Sequence, residues 1–483
     1  MRDRPEIAVP AAGTPERPLR VAVVGSGPAG FYAAGQLLSD RSLTAEVDVF
    51  DRLATPWGLV RAGVAPDHPK IKSVTRLYER TARLPGFRFH GNVEVGRDLS
   101  HAELAAAYHA VVYAVGAPTD RRMGIPGEEL PGSHAATEFV AWYNGHPDHA
   151  GRSFDLSCRR AVVVGNGNVA LDVARMLVVG GPALRATDTA DHALEALEAS
   201  AVEEVVVLGR RGPAQAAYTT PELRELAEVA DVVVDPVEAE LDDASRAHLA
   251  SEAATVTAQQ NVEIVADYAR RAPTSGRRRI VLRFLASPVE VVGSERVEGV
   301  RVVRNELVDG GDGRLSARPT GREETIACGL VLRSIGYRGT PVPGVPFDER
   351  RGTVHNRGGR VTHAGTDTPV PGVYTAGWVK RGPSGVIGTN RKCAQETVEH
   401  LLEDLHAGLL PEPTADPGAL LALLAERGVA VVDYAGWERI DAHERATGEP
   451  QGRPRVKLVH REHQLRHAAP LPCTDHDTRG GHA

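Results

Sequence analysis

The stretch Val21-Ala-Val-Val-Gly25-Ser-Gly27-Pro28-Ala29-Gly30 decides the fold class, because a near-copy, Ala161-Val-Val-Val-Gly165-Asn166-Gly167-Asn168-Val169-Ala170, follows 140 residues later. Each begins as an apolar, β-branched run of buried-strand type and continues into residues that are apolar at helical spacing. The glycines have separate jobs: one permits the tight turn, one lets backbone approach a pyrophosphate, and the last lets helix pack on strand. The helix then offers the positive end of its dipole to the phosphates. Glycine-rich strand-to-helix turns also occur without a ligand; two copies, each in the right context, mark nucleotide sites. The pattern predicts an α/β protein with two Rossmann-like, three-layer dinucleotide-binding domains.

The next strand of each unit distinguishes the two nucleotides. Val47-Asp-Val-Phe50 ends at Asp51, 26 residues past Gly25, where a carboxylate can accept hydrogen bonds from ribose hydroxyls. FAD or NAD fits such a place; the plain alternative is a solvated carboxylate at a strand end. Val205-Val-Val-Leu208 ends instead in Gly209-Arg210-Arg211-Gly212. Planar guanidiniums match phosphate oxygens, so these arginines point to the 2′-phosphate of NADP. The insertion from Gly180 to Ala201, rich in Ala, Leu, Asp and Glu, reads as an extra helix.

At 483 residues the chain exceeds a single hydrophobic core and is expected to hold two or three domains. Hydrophobic content of 42% with 25% charge is ordinary for a soluble globular protein, and no apolar run approaches the length of a membrane span. Residues 1–18 lack the apolar centre of a signal peptide and read as a flexible extension. Cys158, Cys328, Cys393 and Cys473 are too scattered for a disulfide framework or a metal site. A cytoplasmic location is expected, and any iron–sulfur centre that takes electrons belongs to a partner. The net charge of −7 gives no basis for nucleic-acid binding, so any basic docking site must be local. His460, His463, His467, His476 and His482 lack metal-ligand spacing, and 461–483 reads as a polar, solvated tail.

Longer runs add to this. Thr55-Pro-Trp57-Gly58-Leu59-Val-Arg-Ala-Gly-Val-Ala-Pro-Asp-His68-Pro-Lys-Ile-Lys-Ser73 follows the first unit, and Gly377-Trp378-Val-Lys-Arg-Gly-Pro-Ser-Gly385-Val386-Ile387-Gly-Thr-Asn390 lies near the end. With Gly165 to Asp172 and Gly209-Arg-Arg-Gly-Pro213, they closely resemble the adrenodoxin reductase family of NADPH–ferredoxin reductases, especially its bacterial branch, from about Leu19 to Leu458. The resemblance implies an FAD enzyme that accepts a hydride from NADPH and passes electrons singly to a ferredoxin-like iron–sulfur protein. NADPH donates two electrons together and ferredoxins take one, so a flavin is a suitable converter.

The resemblance also implies a discontinuous flavin domain, placed at 19–116 and 336–460, with the NADP domain inserted at 117–335. Val111-Val-Tyr-Ala-Val-Gly-Ala117 and Val331-Leu-Arg-Ser-Ile-Gly-Tyr337 supply the crossings, and Gly436 to Lys457 is expected to pack on the flavin domain. It further implies flavin contacts for Trp57, Gly58, Leu59, Val95, Gly377 and Trp378. Gly385, Val386 and Ile387 are placed against the ring, where backbone N–H groups stabilise charge. Without the resemblance Trp378 reads as core.

His68 and Glu222 are the catalytic candidates it suggests. Hydride transfer needs no protein acid or base, so their expected work is to orient the nicotinamide and handle the accompanying proton. Read from the residues alone, His68 is a loop histidine between prolines and Glu222 a charge at a helix start. Arg277-Arg-Arg279 is either a dock for an acidic ferredoxin or a solvated turn. Two other functions use the same motifs: an NADPH diaphorase or quinone reductase, and a flavin electron-transfer or nucleotide-sensing subunit of a larger complex.

Overall fold

Leu19–Val24 is buried along almost its whole length because it is paired on both edges and covered on both faces, as an interior strand of a parallel sheet must be. The computed structural model describes residues 11–234, 241, 243–251, 254–274, 276–310 and 315–470. In the first unit β1 (Leu19–Val24), β2 (Ala45–Asp51), β3 (Phe87–Gly91) and β4 (Ala110–Tyr113) are parallel. A two-stranded ribbon of β5 (Thr119–Asp120) and β15 (Tyr337–Arg338) leads out of this unit and back.

The second unit lies between those two strands. Its sheet contains β6 (Ser133–Ala135), β7 (Arg160–Val164), β8 (Glu204–Leu208), β9 (Asp231–Val234), β10 (Arg279–Arg283) and β14 (Leu330–Arg333), in the order β6-β14-β7-β8-β10-β9. Every pairing in it is parallel. An antiparallel excursion, β11 (Ala286–Val292), β12 (Gly299–Asp309) and β13 (Leu315–Ala327), covers one face. The chain then forms the hairpin β16 (Phe347–Asp348) and β17 (Thr353–Val354). It completes the first sheet with β18 (Asn356–Arg357), β19 (Arg360–Thr362) and β20 (Pro369–Thr375), giving the order β18-β19-β20-β4-β1-β2-β3. In each sheet the order of the strands reverses beside the glycine-turn strand, between β1 and β4 and between β7 and β14, which opens a crevice at the strands' carboxyl ends.

The helices that matter in the first unit are α1 (Pro28–Ser39), α2 (Leu59–Ala62), α3 (Pro69–Lys72) and α4 (Thr75–Ala82). Those that matter in the second are α5 (Asn168–Val178), α6 (Gly181–Arg185), α7 (Asp191–Glu198) and α8 (Thr220–Val229). The returning chain adds α9 (Trp378–Arg381), α10 (Thr389–His406), α11 (Tyr434–Gly448) and α12 (Arg461–Ala468).

Three expectations need correction. The 180–201 insertion forms two short helices, α6 and α7, because buried Thr187, Asp188 and Thr189 break it; their side chains and carbonyls hold other groups. The supposed extension is fixed from Gly13 onward, where Thr44 N donates to Gly13 O at 2.7 Å and Gly13 packs near Leu405; residues 1–10 lie outside the described residues. The supposed tail is helical over 461–468, with Gln464 buried and donating to Leu458 O at 2.7 Å and His467 stacked on His443. His476, His482 and Cys473 lie outside the described residues. The closing segment packs on the first unit through Trp437 and Ile440 and also crosses to the second: Arg453 binds the carbonyls of Thr187 and Thr189, while Lys457 reaches Arg61 O, Asn144 O and Asp188. Cys158, Cys328 and Cys393 are free thiols.

Candidate functional site

Both glycine turns are built for close approach. A Cβ on Gly25, at φ +108°, would lie 2.5 Å from Ala114 O, and one on Gly165, at φ +126°, would lie 2.2 Å from Ser334 O. Only glycine fits either place. Gly27 and Gly167 cap α1 and α5 without a side-chain bond, which leaves first-turn N–H groups of each helix directed into the crevice. Pro28 occupies the first turn of α1, where its missing N–H costs nothing, and Ala29 and Gly30 are buried behind it.

Asp51 stands at the end of β2 beside the first turn. Its Oδ2 accepts from Ser26 N and Oγ at 2.8 and 2.5 Å, and its Oδ1 from Leu53 N at 2.9 Å, so the carboxylate is held rigidly. The 55–59 loop folds over this turn. Trp57 N donates to Ser26 O at 3.0 Å, and a Cβ on Gly58 would sit 2.9 Å from Gly27 Cα. Trp57 itself is buried at φ +84°, a strained conformation for a bulky residue. Leu59 is partly exposed, and Val95 lies in the turn that follows β3.

Across the crevice, Gly377 at φ +78° packs against the first turn of α1, where a Cβ would meet that of Ala29 at 2.7 Å. Trp378 follows, its ring 5.1 Å from that of Tyr337 on the connecting ribbon. Trp378 is not fully buried, as a purely core role would require. The indole N–H groups of Trp57 and Trp378 are buried with no hydrogen-bond partner among the described residues. Orphaned buried donors beside a turn that admits no side chain fit a polar, flat cofactor. Gly385, Val386 and Ile387 form the turn before α10, with Val386 56% exposed. The Val386 N–H is already bonded to Thr389 Oγ1 at 3.2 Å, which removes one of the three donors expected there.

In the second unit Asn168 Oδ1 accepts from Thr219 N at 2.8 Å, tying the glycine turn to the start of α8. Asn166 O accepts from Ala217 N at 3.1 Å, and its side chain covers Gly209. Val169 packs on the core of the unit. Arg210 is exposed and Arg211 half-buried, and Asn305 of β12 donates to Arg210 O at 2.8 Å, so the antiparallel excursion fixes the arginine turn.

Between the units lies a charged nest. His68, at the start of α3, brings Nε2 within 2.8 Å of Glu225 Oε2 and 3.8 Å of Glu222 Oε2, while its Nδ1 is 4.0 Å from Asp172. Buried Arg175 on α5 binds Asp67 with two bonds of 2.8 and 3.0 Å, Asp172 at 2.8 Å and Glu225 at 3.1 Å, with Glu222 3.5 Å away. Four carboxylates thus face one guanidinium and one imidazole. Burial pushes the Asp172 carboxyl up to about 7 and raises that of Glu222, in both cases against the pull of Arg175. Glu222 Oε2 is buried without a hydrogen bond. Sequence reading singled out His68 and Glu222 but missed Glu225, Arg175 and Asp67. The Glu222/Glu225 and Asp172/Arg175 pairs, each three apart on a helix, were the available signal.

Arg277-Arg-Arg279 lies far from this nest, at the amino ends of the second sheet beside a polar cleft of about 1030 Å³. Each of the three has an internal partner: Asp231, the carbonyls of Leu177 and Ser200, and Glu204.

Residues 19–229 match the family model of pyridine nucleotide-disulphide oxidoreductases. The chain is 52% identical over 456 residues to NADPH-ferredoxin reductase FprA of Mycobacterium tuberculosis, covering 92% of this chain and 97% of that protein. It is 43% identical to the mitochondrial NADPH:adrenodoxin oxidoreductase of Arabidopsis thaliana, over 94% and 96% of the two chains. The solved structure of M. tuberculosis FprA in complex with NADPH superposes with a TM-score of 0.87 at 50% identity, covering 94% of this chain and all of that one. On these likenesses the chain belongs to the adrenodoxin reductase family of NADPH–ferredoxin reductases, in its bacterial branch.

Proposed function

We propose that this chain oxidises NADPH and delivers the electrons singly to a ferredoxin-like iron–sulfur protein, with FAD as its resident cofactor. The observation that carries this reading is the bond between His68, from the first unit, and Glu225, from the second, in a nest between the two glycine-turn crevices. When bound, FAD supplies the ability to accept a hydride and release single electrons.

The flavin unit is taken as 19–116 with 336–460, and the NADP unit as 117–335. The Gly25–Gly30 turn, the N-terminus of α1 and Asp51 would hold the FAD pyrophosphate and ribose. Trp57–Leu59, Val95, Gly377, Trp378 and Gly385–Ile387 would border the flavin, with the two indole N–H groups as donors. The Gly165–Ala170 turn would hold the NADPH pyrophosphate, and Arg210 and Arg211 its 2′-phosphate. Burial raises the Glu222 carboxyl, and Glu225 holds the His68 imidazole in place. These groups orient the nicotinamide and take up or release a proton at Glu222 Oε2 and His68 Nε2.

Anaerobic stopped-flow absorbance with NADPH and NADH, followed by addition of an adrenodoxin-type ferredoxin, tests the reading. Rapid bleaching of the flavin bands with strong preference for NADPH, then reduction of the iron–sulfur centre, is expected. Bleaching by NADPH with transfer only to quinones would replace the ferredoxin assignment by a diaphorase.

A further inference from the structure

Most arginines of this protein are tied to a carboxylate, and the stretch that follows His68 departs from that habit. Lys70, Arg76, Arg80 and Arg83 are exposed, and none forms an ion pair among the described residues. On α4, Arg76 and Arg80 stand four apart and so share one face, with Arg83 at the helix's C-terminal cap, while Tyr78 and Thr81 turn inward. Exposed Ile71 and Leu77 interleave with them, at 40% and 36% accessibility. The single acid of the segment, Glu79, is turned toward Arg445, 3.8 Å away.

Position gives this face its meaning. The helix is held by Tyr78 stacked on Phe31 of α1 at 4.9 Å, and it leads directly into β3, parallel to β2. It therefore runs antiparallel to the strands, with Arg76 in its first turn toward the carboxyl ends of the strands, the side of the first glycine turn. On the other side of α1, the first turn of α10 presents Arg391 and Lys392, also exposed and unpaired among the described residues, next to exposed Val386. In a chain with net charge −7, an acidic macromolecule is repelled by the whole and attracted only where cations stand unneutralised.

We propose that the α3–α4 face, flanked by the start of α10, is the docking surface for the acidic iron–sulfur acceptor. The inference rests on the function proposed above and locates the acceptor on it. The unpaired cations steer approach and fix orientation, and Ile71 and Leu77 supply the apolar contact at the centre.

The test uses the FAD-loaded protein and an adrenodoxin-type ferredoxin as probe. Affinity is measured by surface plasmon resonance at low and high salt, alongside NADPH-dependent reduction of ferricyanide. R76E/R80E should weaken ferredoxin binding by about 10-fold or more at low salt, converge with the native protein at high salt and leave ferricyanide reduction unchanged. R76A/R80A should fall between. The control R350E/R351E alters charge equally on the β16–β17 turn, at the far end of the first sheet, and should have little effect. Equal weakening by both reversals, or none by R76E/R80E, would overturn the docking surface while leaving the reductase reading intact. A native protein that reduces ferricyanide but neither binds nor reduces ferredoxin would overturn the acceptor assignment and this surface with it.

Discussion

Arg175 is the residue on which the central nest depends, because among the described residues it is the only guanidinium in contact with Asp67, Asp172, Glu222 and Glu225. Removing one partner of such a buried group leaves charges uncompensated, so Arg175→Ala should cost about 3–5 kcal/mol of stability, measured by denaturant unfolding. His68→Ala or Glu222→Ala should slow flavin reduction by NADPH about 10-fold or more with little loss of FAD, as read by stopped flow and flavin content. Unchanged rates would remove both from the chemistry. Asp172 gives a pH signature. Its carboxyl is raised from 3.8 to about 7 in the folded state, so the folded protein holds this proton where the unfolded chain has released it. The resulting cost is absent in acid and grows as pH rises from about 4 to about 7. Thermal midpoints of Asp172→Asn should therefore fall less than those of the native protein across that interval; parallel curves would contradict it. His68 and Glu222 were legible from the long family-like runs. Arg175 was not, because a buried arginine on an apolar helix is recognisable only when its partners, distant in sequence, are known.

At the scale of elements, the glycine turns, their strands and their helices could be read almost residue for residue, since φ and close approach impose a local requirement on sequence. The pieces decided by tertiary contact could not. The 180–201 insertion has helical composition, yet Thr187–Thr189 is held open to receive Arg453 from the C-terminal segment. Helix α12 looks like tail because its sequence is polar, and its anchoring depends on Gln464, Ala468 and a histidine stack. Arg453→Ala should release the segment: amide exchange over 187–191 and 449–460 should rise together, with a loss of about 1–3 kcal/mol. Exchange increasing in only one of these stretches would show that they are not coupled. For the arginine turn after β8, replacing both Arg210 and Arg211 by Ala should reduce the NADPH-over-NADH preference by about 10-fold or more, from the loss of charge-assisted hydrogen bonds. An unchanged ratio would place the 2′-phosphate elsewhere.

For the whole molecule, the units are joined by more than the β5–β15 ribbon. Lys72, half-buried, and Lys457, buried, share Asp188, and Arg61, Glu444 and Arg455 form a second network nearby. Burial lowers the affinity of both lysines for their protons while Asp188 pulls the other way, so the contact is held by mutual need rather than by surplus charge. Among the described residues no helix is long and apolar enough to cross a membrane.

The order of the strands along the chain has a consequence for synthesis. The first sheet needs β20, which ends at Thr375, and the segment that locks the units together arrives only with Arg453 and Lys457. The second sheet is complete once β14 has emerged, at Arg333. A growing chain can therefore finish the unit whose glycine turn appears second before it can close the one whose turn appears first, and the four strands from β1 to β4 must wait with a bare edge on the ribosome.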